Sequence, residues 1–135
     1  MNTVWIVHSR PGRSYEGAKS FGKLRELLPR NISVFNPNSL AATIGPIIAD
    51  FKEDDYLLIS GHAIACSLTV YLLSLRHRKI NVLYFEARDG EYVERVLDFD
   101  KIEMAAYQLT MPGIAGKEKE KEDERETGSN GPEAA

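Results

Sequence analysis

The chain has 135 residues, 43% of them apolar, and a formal net charge of −3. That length supports one domain with a real core and is too short for two. Residues 1–116 carry thirteen charges of each sign, and the acidic excess lies wholly from Lys117 onward. A neutral body with an acidic tail gives no electrostatic case for DNA or RNA binding.

The single cysteine, Cys66, allows no intrachain disulfide and fits a reducing compartment. The opening MNTVWIVHSR has no cationic start followed by a long apolar stretch, so no signal peptide is expected. The longest apolar run, 63–73, contains Ser67 and Thr69 and is too short to span a bilayer. These features predict a soluble cytoplasmic protein with no membrane partner.

The first predicted element is a strand over Thr3–His8, which is β-branched and aromatic. A helix is predicted next, from an N-cap at Ser14 to a stop at Pro29. Its apolar face would hold Tyr15, Ala18, Phe21, Leu24 and Leu28. Residues 32–35, ISVF, read as a short second strand closed by Asn36-Pro37-Asn38. Ser39 is the expected cap of a second helix presenting Leu40, Ile44, Ile47, Ile48 and Phe51. Pro46 should kink that helix or mark its true start.

Glu53-Asp54-Asp55 reads as a solvated turn before a third strand, YLLIS, whose continuous apolar character suits a strand covered on both faces. A third helix is predicted over 62–76, ending in Arg76-His77-Arg78-Lys79, where cationic charge suits a helix C-terminus. INVLYFEA forms a fourth strand, Arg88-Asp89-Gly90 a hairpin turn, and EYVERVLDF an alternating fifth strand.

Strand–helix repeats of this length call for parallel strands joined by right-handed crossovers. The predicted fold is a small, open, Rossmann-like or flavodoxin-like three-layer α/β sheet. Its strand order is 2-1-3-4, with strand five antiparallel beside strand four. The domain should span residues 1–110. Residues 111–135, dominated by Lys and Glu, cannot bury enough apolar surface to order themselves and are predicted to be a disordered tail.

In such sheets ligands bind at the carboxyl ends of the strands where the order reverses, here between strands one and three. The candidate anion site therefore comprises His8, Arg10 and Arg13 after strand one, with Ser60, Gly61 and His62 after strand three. The N-terminus of the third helix would add backbone donors. The arginines would hold charge and a histidine could move a proton. The competing reading is a plain turn in which Gly61 permits the bend and Ser60 caps the helix.

His8-Ser9-Arg10-Pro11-Gly12-Arg13 is neither a phosphate loop nor a dinucleotide fingerprint, and Ser60 lacks the surroundings of a nucleophile elbow. Cys66 reads as a buried structural thiol. His8, His62 and Glu86 contain no close-spaced ligand pair, so neither a metal nor another cofactor is expected.

TVWIVHS, Tyr15, Ala18 with Phe21-Gly22, DDYLLISG, INVLYF and DGEYVERVL together carry a likeness. By these segments the chain resembles, over roughly residues 1–99, a family of small tailed-bacteriophage proteins of unknown function. Where that family has a His-Asp-Tyr-Ser-type motif, this chain has Arg13-Ser14-Tyr15-Glu16, and only Tyr15 keeps its place. The resemblance implies a phage protein acting in the host bacterial cytoplasm.

Two functions follow as expectations. One is a non-catalytic accessory module binding a host or phage protein, or a second copy of itself through its apolar third helix. The other is a small nucleotide- or phosphoester-handling enzyme with its anionic ligand at the strand-one and strand-three rim.

Overall fold

The computed structural model describes residues 2–33 and 36–109. An interior strand of its sheet is β1 (Thr3–His8), whose Val4, Trp5, Ile6 and Val7 are all buried. On one side β1 pairs in parallel with β2 (Lys23–Leu28), and on the other with β3 (Tyr56–Leu58). β4 (Lys79–Glu86) runs parallel to β3, and β5 (Glu91–Asp98) returns antiparallel to β4. The strand order is therefore 2-1-3-4-5 in a mixed α/β sheet, as the sequence pattern predicts.

The direction of each crossover decides which face it covers. The step from β1 to β2 moves one way along the sheet, and the two later parallel steps move the other way. With right-handed connections these fall on opposite faces. Trp5, Val7, Leu57, Ile80 and Val82 accordingly pack against Leu40, Ile44 and Ile48 of α1 (Pro37–Ile48) and Ala65 and Leu73 of α2 (Ala63–Ser74). Val4, Ile6, Leu58 and Leu83 face Tyr15 and Ala18 instead. The layer on that second face is thin, because it holds a 3-10 turn over Glu16–Phe21 in place of a full helix.

That turn corrects the predicted first helix. Tyr15, Ala18 and Phe21 recur every three residues, which is the 3-10 period, and only Ala18 of the turn is buried. The chain then extends at Gly22 and forms β2, so the strand paired with β1 on this side lies over Lys23–Leu28. Lys, Leu, Arg and Glu favour helix intrinsically. Here the β1 ladder and the burial of Leu27 and Leu28 override that preference. Ile32 and Ser33 lie in a loop, and Val34 and Phe35 are outside the described residues.

Two helix starts also move. Asn36, not Ser39, caps α1, its side chain accepting from Ser39 N at 3.1 Å, and Pro37 occupies the first turn where its missing N–H costs nothing. Pro46 sits exposed in the last turn, so the helix neither breaks there nor begins there. α2 is capped by His62, not by Ser60. At its far end Arg78 Nη1 donates to Ser74 O at 2.9 Å, the cationic closure expected of that terminus.

Asp55 is not part of a solvated turn. It is 4% exposed and latches the amino ends of β1 and β3. Oδ1 accepts from Thr3 N (3.0 Å), while Oδ2 accepts from Trp5 Nε1 (3.0 Å) and Lys52 N (2.9 Å). Burial alone would raise its pKa. The hydrogen bonds from Trp5, Thr3 and Lys52, with the Lys52 charge, outweigh it and hold the carboxyl below its ordinary value.

Residues up to Phe99 form one compact unit. α3 (Phe99–Leu109), which lies beyond that unit except for Phe99, is an element the sequence reading did not anticipate. The predicted disordered tail, 111–135, lies outside the described residues. Among the described residues no helix is long and apolar enough to cross a membrane.

Candidate functional site

β3 is short, and that shortness makes a notch. Ile6, Leu58 and Leu83 lie side by side in β1, β3 and β4. β3 ends at Leu58, while β1 continues to His8 and β4 to Glu86. The chain stays near the sheet for two more residues, with Ile59 N donating to Leu83 O (2.8 Å) and His8 N to Ser60 O (3.2 Å). It then turns sharply into α2 at Gly61, where φ is +97°. A Cβ at Gly61 would overlap the backbone carbonyl of His8. The glycine is thus required both by its φ and by the close approach of β1.

Above this notch lies a cleft of about 420 Å³. Arg10 and Arg13 reach it from a turn whose closing bond runs from Arg13 N to Arg10 O (3.2 Å). Pro11-Gly12 is the order that a type II turn demands, and Gly12 has φ +78°. The turn places the two arginines at its opposite corners, three residues apart. Neither guanidinium is ion-paired among the described residues.

The floor is a hydroxyl pair. Tyr15 OH receives the Arg10 backbone N–H at 2.8 Å and lies 2.7 Å from Ser60 Oγ. One phenol thereby joins the loop after β1 to the end of β3.

The opposite wall is aromatic. Tyr84, Phe85 and Tyr92 line it. Phe85 and Tyr92 are directly paired across β4 and β5, with ring centroids 5.2 Å apart in an edge-on arrangement. The Arg13 guanidinium carbon stands 5.1 Å above the centre of the Phe85 ring. Burial raises the Tyr92 pKa against the opposing effect of Arg13, so its phenol stays neutral. The cleft side of α2 adds Ala63, Cys66 and Ser67. Burial also pushes the Cys66 thiol up, although its hydrogen bond to Ser60 O (3.4 Å) works the other way.

Of the six residues picked from the sequence, Arg10, Arg13, Ser60 and Gly61 line one cleft. His8 and His62 do not. His8 Nε2 lies 3.0 Å from Arg30 O, beyond the end of β2. His62 is exposed, and its Nδ1 accepts from Ile64 N at 3.1 Å, so that nitrogen holds a lone pair in its capping role. The aromatic wall was missed. Its signal was the Arg88-Asp89-Gly90 turn, which sets the register that pairs Phe85 with Tyr92. Among the described residues no three His, Cys, Asp or Glu side chains gather as a metal site requires.

The Phage Pam3 gp32-like protein family matches residues 2–99. The chain belongs to this family. The matched stretch holds the whole sheet, both helices packed on it and every residue lining the cleft, so the cleft lies inside the region shared with the Pam3 gp32-like proteins. No curated protein and no solved structure matches the chain.

Proposed function

We propose that this protein is a non-catalytic phage accessory module that works by binding, and that the cleft at the carboxyl edge of its sheet holds an anionic group of a host or phage partner. The observation that carries this reading is the pairing of two unneutralised arginines with a wall that offers no proton carrier. A general acid–base catalyst needs a group that exchanges protons near neutral pH within reach of the ligand. The lining residues include no carboxylate and no imidazole. The Cys66 thiol and the Tyr92 phenol are both shifted toward holding their protons. What remains is charge, hydroxyl donors and aromatic surface, which suit recognition.

A second reading, a small nucleotide- or phosphoester-handling enzyme, is favoured by the cleft volume, which falls within the range of small-molecule sites. Prolonged incubation with p-nitrophenyl phosphate separates the two. Saturable binding with the ester recovered intact supports a binding module. Release of nitrophenol that disappears in Arg10→Ala favours the enzyme.

A further inference from the structure

The arginines account for an anion, but most of the cleft wall is not built for one. An inorganic phosphate displaces roughly two or three waters and would leave most of the space of about 420 Å³ unfilled. The remaining surface is lined by Tyr15, Tyr84, Phe85 and Tyr92. Tyr92 meets Phe85 edge-on, and the guanidinium of Arg13 lies over the Phe85 ring, which makes an arginine–aromatic platform. A guanidinium resting on one ring can accept a second ring on its outer face, and it still has N–H groups at its rim for an oxyanion. Arg13 is placed to do both. Arg10, at the other corner of the turn, has no such ring contact among the described residues, which leaves its guanidinium to an anion.

We propose that the ligand of this cleft is an aromatic ring joined to a phosphate monoester, with the phosphate between Arg10 and Arg13 and the ring against the Arg13–Phe85–Tyr92 platform. This deepens the binding reading above and rests on it. The same chemistry occurs in a nucleoside monophosphate and in a phosphorylated tyrosine of a partner protein.

The test is a set of calorimetric titrations at low salt with inorganic phosphate, adenosine, adenosine monophosphate and N-acetyl-phosphotyrosine amide. One of the two ring-bearing phosphates should bind on the order of tenfold or more tightly than inorganic phosphate, and adenosine alone weakly, since stacking adds to the charge term. Whichever of the two gains more identifies the source. Arg13→Lys keeps the charge but loses the planar face. It should weaken the ring-bearing phosphate by a larger factor than inorganic phosphate, so that most of the preference for a ring is lost. Phe85→Leu should lose the same preference, and the Arg13→Lys result stands whether or not that variant folds. If neither ring-bearing phosphate exceeds inorganic phosphate, or if Arg13→Lys keeps the full ring preference, this inference is overturned while anion binding stands. If no phosphate compound binds wild type at all, the anion reading falls with it.

Discussion

At the amino edge of the sheet the carboxylate of Asp55 is enclosed by three N–H donors from Thr3, Trp5 and Lys52. At the carboxyl edge the guanidinium groups of Arg10 and Arg13 meet no carboxylate among the described residues. Both edges carry charge, but only one satisfies it internally. A buried charge with all its hydrogen bonds made holds the fold together. Exposed charges left unpaired beside a concave aromatic wall contribute little to stability and remain available to a ligand. On the reading proposed above, one end of the strands serves stability and the other recognition, and each edge can be tested by removing its charge.

The largest effect is expected at the amino edge. Asp55→Ala strands three donors, two of them backbone N–H groups, and should cost roughly 3 to 5 kcal/mol in denaturant unfolding. The pH dependence follows from the lowered pKa of Asp55. A carboxyl whose folded pKa lies below its unfolded value contributes its full stability above that unfolded value, near about 4, and loses it as pH falls through the folded pKa. The difference in unfolding free energy between wild type and Asp55→Asn should therefore be constant from neutral pH to about 5 and shrink below about 4. A difference that stays constant down to pH 2 would show that Asp55 is not held ionised.

Gly61→Ala comes next. The strained φ of +97° and the overlap with His8 O should together cost roughly 2 to 3 kcal/mol, read as a lower urea midpoint. Since Gly61 lies under the cleft, the same variant should also weaken ligand binding. A wild-type midpoint would mean that the turn can relax away from β1.

At the carboxyl edge the expected effect moves from stability to binding. Arg10→Ala leaves the backbone N–H that holds Tyr15 in place, so its unfolding midpoint should match wild type within about 0.5 kcal/mol. Its affinity for phosphate should fall on the order of tenfold at low salt, with the deficit narrowing as ionic strength rises. The smallest effect belongs to His62→Ala. Loss of the cap on α2 should cost about 0.5 to 1 kcal/mol and leave phosphate affinity unchanged, because His62 lies outside the cleft lining. A selective loss of binding would instead make His62 part of the site.

The carboxyl edge was more legible in the sequence than the amino edge, for a physical reason. Strand ends, the Pro-Gly turn and Gly61 are local signals, and the reversal of strand order brings them together without any further information. Arg10, Arg13, Ser60 and Gly61 could be read that way. Asp55 could not, because Glu53-Asp54-Asp55 looks like any polar turn until Trp5, fifty residues earlier, is placed beside it.

β2 was misread for a related reason. Its residues favour helix, and only pairing with β1 makes Lys23–Leu28 a strand. α3 carries good helix formers in Glu103, Met104, Ala105, Ala106 and Gln108, but it follows a strand without a strong stop signal that would mark where the helix begins. The two histidines were placed on the rim by position alone. Where a side chain points depends on local partners, here Arg30 O and Ile64 N, that strand and helix periodicity do not encode.

The contrast between the two edges rests most directly on one comparison, the titration of inorganic phosphate into wild type and Arg10→Ala at low ionic strength, with the unfolding midpoint of each protein measured in the same buffer. Saturable binding by wild type, weakened about tenfold or more in Arg10→Ala at an unchanged midpoint, is the predicted result. Equal binding by the two proteins, or no saturable binding by wild type, would contradict it.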